Sequence, residues 1–329
     1  VVRQFADSVD KHLIIEELEP FIEDGVRAAG IPCFGKELTG LQGELSVEKV
    51  RGAIECGNAF PKSGECCSPR ASRGLAPTDN SSLPSAPPRS PALCPGCPHR
   101  AVFYTFNRLK LNVCGDIGCY TLGMLPPLSA MDTCLCMGAS IGMALGMEKA
   151  RGREFSRRTV AVIGDSTFMH SGITALLDCV YNNASVTVVI LDNRITGMTG
   201  HQNNPASGFD IHGNPAPTLD IEALAGALGV SSARTVDPLD LKEFERVLKE
   251  EIQRDAVSVV IAKRPCALLP GQRQAPYHTR NCRNCGACMR IGCPALSRGA
   301  EGVAVDEQLC SGCGLCASVC PFDCFKNEQ

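Results

Sequence analysis

The sequence predicts an α/β fold: a doubly wound parallel sheet, followed by a small α+β domain organised by cysteine. Three observations carry this prediction. Short apolar runs alternate with segments of helical spacing between residues 160 and 262. The first two runs, Val160 to Ile163 and Val186 to Leu191, end in the polar tips Gly164-Asp165-Ser166 and Asp192-Asn193. Near the C-terminus, two Cys-x-x-Cys-x-x-Cys groups are each followed by a Cys-Pro pair. A strand, a helix and a second strand in that order imply parallel strands joined by a crossover. Both polar tips then lie at carboxyl ends of neighbouring strands, where open α/β sheets bind ligands.

Taken in order, residues 1–55 give a strand at His12 to Glu17, a short helix at Glu19 to Ala29, and turns at Gly35 to Leu38 and Gly43 to Leu45. This is too little chain for a sheet with its own core. Glu16 and Glu17 are adjacent on that strand, so they point to opposite faces and do not form a catalytic pair. Residues 56–92 are rich in Pro, Ser and Gly and read as an extended tether. Cys56, Cys66 and Cys67 have no ligand-like partners there.

Residues 93–268 form the predicted main domain. It opens on Cys94-Pro95-Gly96-Cys97-Pro98-His99-Arg100, and a helix-like run continues to Leu109. A Cys-x-x-Cys outside an oxidising compartment is a metal knuckle or a redox dithiol. Cys119, in Asp116-Ile117-Gly118-Cys119-Tyr120, and Cys266, just after a predicted strand, make up a candidate four-ligand set. His99 adjoins the Cys-x-x-Cys, so it is a candidate to reach a cofactor or substrate. So is His201, which follows the Asn193 loop. His170 sits at a helix start, where histidine more often caps or packs. Ser171 to Asn183 is the predicted crossover helix. Leu219 to Leu228 has helical spacing with Gly229 as its stop, and Ser232 to Val236 reads as a strand. Leu239 to Ile252 is an amphipathic helix with a solvated charged face. Val257 to Ala262 is a buried strand.

The polar tips state their own chemistry. Asp165 offers a carboxylate and Asn193 an amide oxygen, and Mg²⁺ takes hard oxygens, usually one or two side chains plus substrate phosphates. Gly164 permits close backbone approach, and the amides opening the next helix, Ser166 among them, can hold a phosphate. The stretch therefore reads as a site for a metal-bridged diphosphate.

The tail, residues 269–329, has the doubled bacterial-ferredoxin pattern, in which the fourth cysteine of each run ligates the other cluster. Cys282, Cys285, Cys288 and Cys320 form one 4Fe-4S set, and Cys310, Cys313, Cys316 and Cys293 the other. The first run has four residues before its last cysteine rather than three, an extra residue that a loop can absorb. Cys324 has no assigned role.

Composition excludes several classes. The 329 residues carry a net charge of −3, which is no footprint for nucleic acid. Leu135 to Met147, the longest apolar stretch, is interrupted by glycine and too short to span a bilayer. The 21 cysteines, grouped as Cys-x-x-Cys in a chain this long, argue for metal centres in a reducing compartment, hence the cytoplasm.

Gly164-Asp165-Ser166, with Asn193 twenty-eight positions after Asp165, resembles the thiamine diphosphate motif, GDG or GDS followed by N about thirty residues on. The longer wording, GDSTFMHSG and ILDNRITGMTGHQNNP, is similar to the large (alpha) subunit of indolepyruvate:ferredoxin oxidoreductases. The resemblance implies a thiamine diphosphate-binding fold, with Mg²⁺ held by Asp165, Asn193 and the Ile195 carbonyl. It also implies that Gly164, Ser166, Gly118 and Gly138 line the cofactor. In the wider 2-oxoacid:ferredoxin oxidoreductases, cysteines placed like Cys94, Cys97, Cys119 and Cys266 hold a third 4Fe-4S cluster beside the thiazolium. The alternative is that Cys94 and Cys97 shape a loop without iron.

The implied reaction is oxidative decarboxylation of a 2-oxo acid, indolepyruvate foremost, to an acyl-coenzyme A and CO₂, with ferredoxin as external acceptor. Residues 1–55 resemble the tail of the domain that precedes the diphosphate domain in that subunit. The pyrimidine-binding half has no counterpart in this sequence. The expected partners are therefore the small (beta) subunit and a separate or missing pyrimidine domain, without which the chain is expected to be inactive. Two other classes remain: an electron-transfer or scaffold subunit with a vestigial thiamine diphosphate fold, and a non-redox decarboxylase.

Overall fold

The computed structural model describes residues 2–58 and 90–327. Residues 59–89, where most of the predicted tether and both Cys66 and Cys67 fall, lie outside the described residues. The chain divides into two units, Val1–Pro88 and Arg89–Gln329.

Among its described residues the first unit holds four helices, α1 (Val2–Ala6), α2 (Phe21–Ala28), α3 (Lys36–Thr39) and α4 (Val47–Asn58). The predicted strand at His12 to Glu17 does not form. A single parallel bridge, Leu13 to Phe34, stands in its place. The two glutamates explain why, since both are used locally on backbone amides. The Glu16 carboxylate accepts from the amides of Ile22 (2.8 Å) and Glu23 (2.9 Å), capping α2 just after Pro20. The Glu17 carboxylate accepts from Leu45 N at 3.0 Å. The predicted turn at Gly35 to Leu38 winds into α3. Helix α4 was not predicted, although Val47, Val50 and Ile54 recur at helical spacing.

The second unit is built on six parallel strands: β1 (Asn112–Gly115), β2 (Thr133–Cys134), β3 (Thr159–Gly164), β4 (Thr187–Asp192), β5 (Ser232–Val236) and β6 (Ser258–Lys263). Their order is β2-β1-β3-β4-β6-β5. The chain runs outward from β1 to β2, then reverses to β3, so the switch point lies between β1 and β3. The central strands feed two cores by strict alternation. Val160, Val162, Val189, Leu191 and Val260 enter one. Ala161, Ile163, Val188, Ile190 and Ile261 enter the other. Helices α5 (His99–Leu109) and α11 (Leu241–Glu251) cover the first face with Phe103, Phe106, Phe244 and Leu248. Helices α6 (Ala139–Arg151), α9 (Ile173–Tyr181) and α10 (Ile221–Ala227) cover the second with Ile141, Leu176 and Ile221. The short α7 (Arg153–Ser156) leads into β3.

Helices α10 and α11 start two residues later than their apolar spacing predicts. Asp220 and Asp240 stand as N-caps and accept from the amides of Glu222 and Ala223, and of Glu243. The crossover helix instead begins earlier, at α8 (Asp165–Thr167), directly after β3. It continues through a π-turn at Phe168–Gly172 into α9. No loop separates Gly164 from the helix, so the amides after Asp165 point straight at the rim of the sheet.

The tail forms two small antiparallel pairs, β7 (His278–Thr279) with β10 (Phe325–Lys326), and β8 (Leu296–Gly299) with β9 (Gly302–Val305). A 3₁₀ turn at Ala287–Ile291 and helix α12 (Leu315–Val319) each carry the third cysteine of one run, Cys288 and Cys316. Its core of Ile291, Leu296, Val303, Leu315 and Phe325 also takes in Ala101 of α5 and Leu241 of α11. The tail thus packs directly on the helices of the main sheet. Among the described residues, no helix is long and apolar enough to cross a membrane.

Candidate functional site

Three segments meet at the carboxyl rim of the sheet, those following β1, β3 and β4. Strand β3 delivers Asp165 at 3% exposure, and β4 delivers Asn193 at 7%. The Asn193 side-chain oxygen stands 2.7 Å from the Ile195 carbonyl oxygen and 3.3 Å from Asp165 Oδ2. Three hard oxygens therefore converge with no hydrogen between them, save a long 3.4 Å contact from Ile195 N. Such crowding is relieved either by turning the amide over or by a cation. The far side of the amide is compatible with the cation. In the present orientation Asn193 Nδ2 lies 3.4 Å from His99 Nε2. Burial drives the His99 pKa down to about 4, so the ring is neutral and Nε2 can accept that hydrogen. Turning the amide would aim a carbonyl at the ring nitrogen, which the Nε2–H tautomer would satisfy. Three chain oxygens, to be completed by phosphate oxygens and water, suit the octahedral demand of Mg²⁺.

Burial pushes the Asp165 carboxyl up to about 7, and the charge of nearby Asp192 adds to it. The Ser166 and Arg194 amides and the Asn204 side chain pull the other way. Ser166 N donates to Asp165 Oδ1 at 2.6 Å and Asn204 Nδ2 at 3.2 Å, leaving Oδ2 for the oxygen trio.

The β1 loop supports this rim through residues the sequence reading did not single out. Asp116 is fully buried and receives the amides of Gly138 (2.9 Å), Ser140 (3.2 Å) and Ile117 (2.8 Å). It thereby fastens the start of α6 to the end of β1. Gly138 sits there at φ +89°, and a Cβ on it would lie 2.3 Å from Ser171 Oγ, so only glycine fits. The Tyr120 hydroxyl accepts from Gly164 N at 2.9 Å and donates to the Ile117 carbonyl at 3.1 Å, and its ring packs against Gly118. The available signal was a repeat: Gly115-Asp116 closes β1 as Gly164-Asp165 closes β3.

Of the candidate histidines, His99 is buried against Asn193 and meets Tyr120 edge-on, 5.8 Å between ring centres. His201 is exposed, with Nε2 at 3.9 Å from Cys266 Sγ. The two are not brought to one point by any described contact. His170 is exposed on the π-turn.

Cys94, Cys97, Cys119 and Cys266 come from three separate loops and gather beside this rim. Cys97 N donates to the Cys94 carbonyl at 3.1 Å, and Cys266 N donates to the Asn193 carbonyl at 3.0 Å. Burial, with a smaller contribution from neighbouring Cys94 and Cys266, pushes the Cys97 thiol up to about 12. Burial likewise raises Cys119 and Cys266, with contributions from Cys94 to both and from Cys266 to Cys119.

The tail separates its cysteines into two groups. Cys288 is raised first by burial, then by Cys282, Cys320 and Cys285. Cys316 is raised first by burial, then by Cys313, Cys293 and Cys310. Each group therefore contains one cysteine from the other run. The sulfurs also accept backbone amides: Cys282 from Val303, Cys310 from Tyr277 and Gly312, and Cys320 from Cys324. Cys324, left without a role by its spacing, is buried and donates to the Asn281 carbonyl at 3.4 Å. Among the described residues no three His, Cys, Asp or Glu side chains are gathered to hold a single ion. The oxygen trio uses an amide and a carbonyl, and cubane thiolates each bind a different iron. Cys293, Cys310, Cys313 and Cys316 line one cavity, which extends to Gly96, Cys97 and Arg100.

Residues 116–262 match the C-terminal TPP-binding domain of thiamine pyrophosphate enzymes, and residues 303–326 match a 4Fe-4S binding domain. The chain is 37% identical to the indolepyruvate oxidoreductase subunit IorA of Archaeoglobus fulgidus, over 99% of this chain and 53% of that protein. With the same-named subunit of Pyrococcus horikoshii the identity is 37%, over 100% and 54%. The chain thus spans about half the length of these curated relatives. A solved 2-oxoglutarate:ferredoxin oxidoreductase from Magnetococcus marinus, 19% identical, aligns over 56% of this chain and 66% of its own with a TM-score of 0.46.

Proposed function

Since the chain belongs to the 2-oxoacid:ferredoxin oxidoreductases, matching the large subunit of the indolepyruvate enzymes, we propose that it is the cofactor-binding and electron-exporting part of such an enzyme. The reaction is oxidative decarboxylation of an aryl 2-oxo acid, indolepyruvate foremost, to an acyl-coenzyme A and CO₂, with reduction of ferredoxin. The observation that carries this reading is the convergence of Asp165 Oδ2, Asn193 Oδ1 and the Ile195 carbonyl at the ends of adjacent parallel strands.

Thiamine diphosphate supplies the carbanion chemistry when bound. The chain's residues supply position and field. Asp165, Asn193 and Ile195 would hold Mg²⁺ beside the diphosphate, and Ser166, whose amide donates to Asp165, would fix that carboxylate. Gly138, fixed by Asp116, and Gly118, backed by Tyr120, shape the remaining wall. His99 stays neutral and keeps the Asn193 oxygen turned inward. His201 lies at the exposed mouth beside Cys266, where it can meet substrate. Cys94, Cys97, Cys119 and Cys266 hold a 4Fe-4S cluster next to the cofactor. The tail holds two more, on Cys282, Cys285, Cys288 and Cys320, and on Cys310, Cys313, Cys316 and Cys293. Residues 93–268 and 269–329 act as the thiamine diphosphate and ferredoxin-like domains. Turnover requires the small (beta) subunit, a pyrimidine domain, coenzyme A and external ferredoxin, in the reducing cytoplasm.

Calorimetric titration of the anaerobically purified chain with thiamine diphosphate and Mg²⁺ tests this. Saturable binding is expected, lost in Asp165→Ala with the iron content unchanged. A chain with full iron and no saturable binding is the electron-transfer subunit with a vestigial site.

A further inference from the structure

Arg100 is buried to 2% exposure in the first turn of α5, three residues past Cys97. Its guanidinium ties two distant segments together. Nη2 donates to the carbonyls of Leu93 and Cys94, the latter at 3.1 Å. Nη1 donates to the carbonyls of Ile291, at 2.8 Å, and Gly292, the two residues before Cys293. Nε is buried without a partner. All four partners are neutral carbonyls, and burying a full positive charge against dipoles alone is expensive. Arginine cannot escape by losing its proton.

What such a charge faces is thiolate. Arg100 stands between Cys97 and Cys293: its carbonyl partners are Leu93 and Cys94 on one side and Ile291 and Gly292 on the other. All three side chains line one cavity. The two loops are also pressed together: a Cβ on Gly96 would lie 2.1 Å from Ser311 Oγ. Gly96 belongs to Cys94-x-x-Cys97 and Ser311 to Cys310-x-x-Cys313. Cys282, Cys285, Cys288 and Cys320, of the other tail centre, do not line that cavity.

We propose that Arg100 is the shared counter-ion of the two thiolate centres on either side of it, the Cys94/Cys97 centre and the Cys293/Cys310 centre, and that it couples them as the first link of the electron path. This rests on the cluster assignment above. Each one-electron reduction adds a negative charge to a thiolate-held cluster, so a fixed cation stabilises the reduced form of both. When the electron passes, one cluster is oxidised and the other reduced. No proton or bond moves, and the cation between them favours both ends of the step.

The test is an EPR-monitored reductive titration of the anaerobic chain in complex with its small subunit, after iron and sulfide have been counted. Arg100→Gln is expected to keep its iron and to lower two of the three cluster potentials. The equilibrium for each should shift by up to about tenfold, ~59 mV for a one-electron couple. The third should be unchanged. Arg100→Lys, which keeps the charge and loses the fork, is expected to restore most of the shift. Full iron with all three potentials unmoved in Arg100→Gln overturns the proposal. If Arg100→Gln is short of iron, Arg100→Lys decides. Potentials near wild type support the proposal, and lowered potentials or missing iron show that the fork, not the charge, matters. A wild-type chain without clusters fails at the iron count, which overturns the cluster assignment itself and the proposal with it.

Discussion

Gly96→Ala should open the seam between the two cysteine loops, and its cost can be worked from geometry. Gly96 sits at φ +76°, which costs an L-residue roughly 1–2 kcal/mol. The new Cβ would meet Ser311 Oγ at 2.1 Å, Ser311 Cβ at 2.9 Å and Ala267 Cβ at 3.3 Å. Rotating the serine hydroxyl removes only the first contact, so an overpacking cost of about 1–3 kcal/mol remains. The sum is roughly 2–5 kcal/mol. Cluster release makes unfolding irreversible, so the quantity to follow is a rate. Anaerobic loss of cluster absorbance in urea should accelerate by between about 30-fold and a few thousandfold if the whole cost is felt in the folded state. Ser311→Gly removes both offending atoms, and the Ser311 hydroxyl has no hydrogen-bond partner to lose. In the double variant the overlap term should vanish and the backbone term persist, a coupling of about 1–3 kcal/mol. An unchanged rate in Gly96→Ala, or strictly additive effects in the double variant, would refute the packing of the two loops.

Tyr120→Phe leaves Gly164 N without its acceptor. It should cost about 1–3 kcal/mol in denaturant stability of the apo chain, while thiamine diphosphate affinity falls because the rim is no longer held. Wild-type affinity would show that Tyr120 only fills space. Cys119→Ser should drop the iron content from about twelve per chain, three clusters of four, to about eight, as counted by iron and acid-labile sulfide assay. A count of about eight in both wild type and variant would leave Cys94 and Cys97 as a loop without iron. Removing Mg²⁺ with EDTA should abolish thiamine diphosphate binding and leave the visible cluster spectrum intact. Cofactor affinity that survives chelation would remove the oxygen trio from the account.

Much of this was legible in the sequence because the chemistry is local in the chain. Gly164-Asp165 and Asn193 end long, β-branched, fully buried strands, and such runs announce themselves. The tail cysteines lie within tight loops whose spacing is itself the geometry. Strands β1 and β2 escaped notice because they are four and two residues long and carry Asn, Cys and Gly where β-formers are expected. With them went Asp116 and Tyr120, whose roles depend on a crossover between distant segments. In the sequence Arg100 only closes the Cys94 to Arg100 run, and its burial comes from the tail packing on α5. The strand expected at His12 to Glu17 failed for the opposite reason. Its pattern was adequate, but it meets only a single bridge, and its glutamates serve nearby amides.

The central claim is that Asp165, Asn193 and the Ile195 carbonyl share one ion with a diphosphate. Mn²⁺ in place of Mg²⁺ makes that ion visible to pulsed EPR. With thiamine diphosphate added to the anaerobic chain, the Mn²⁺ signal should show ³¹P hyperfine coupling, and Asp165→Ala should abolish it. Bound thiamine diphosphate with no phosphorus coupled to the metal, or coupling that persists in Asp165→Ala, would contradict the claim.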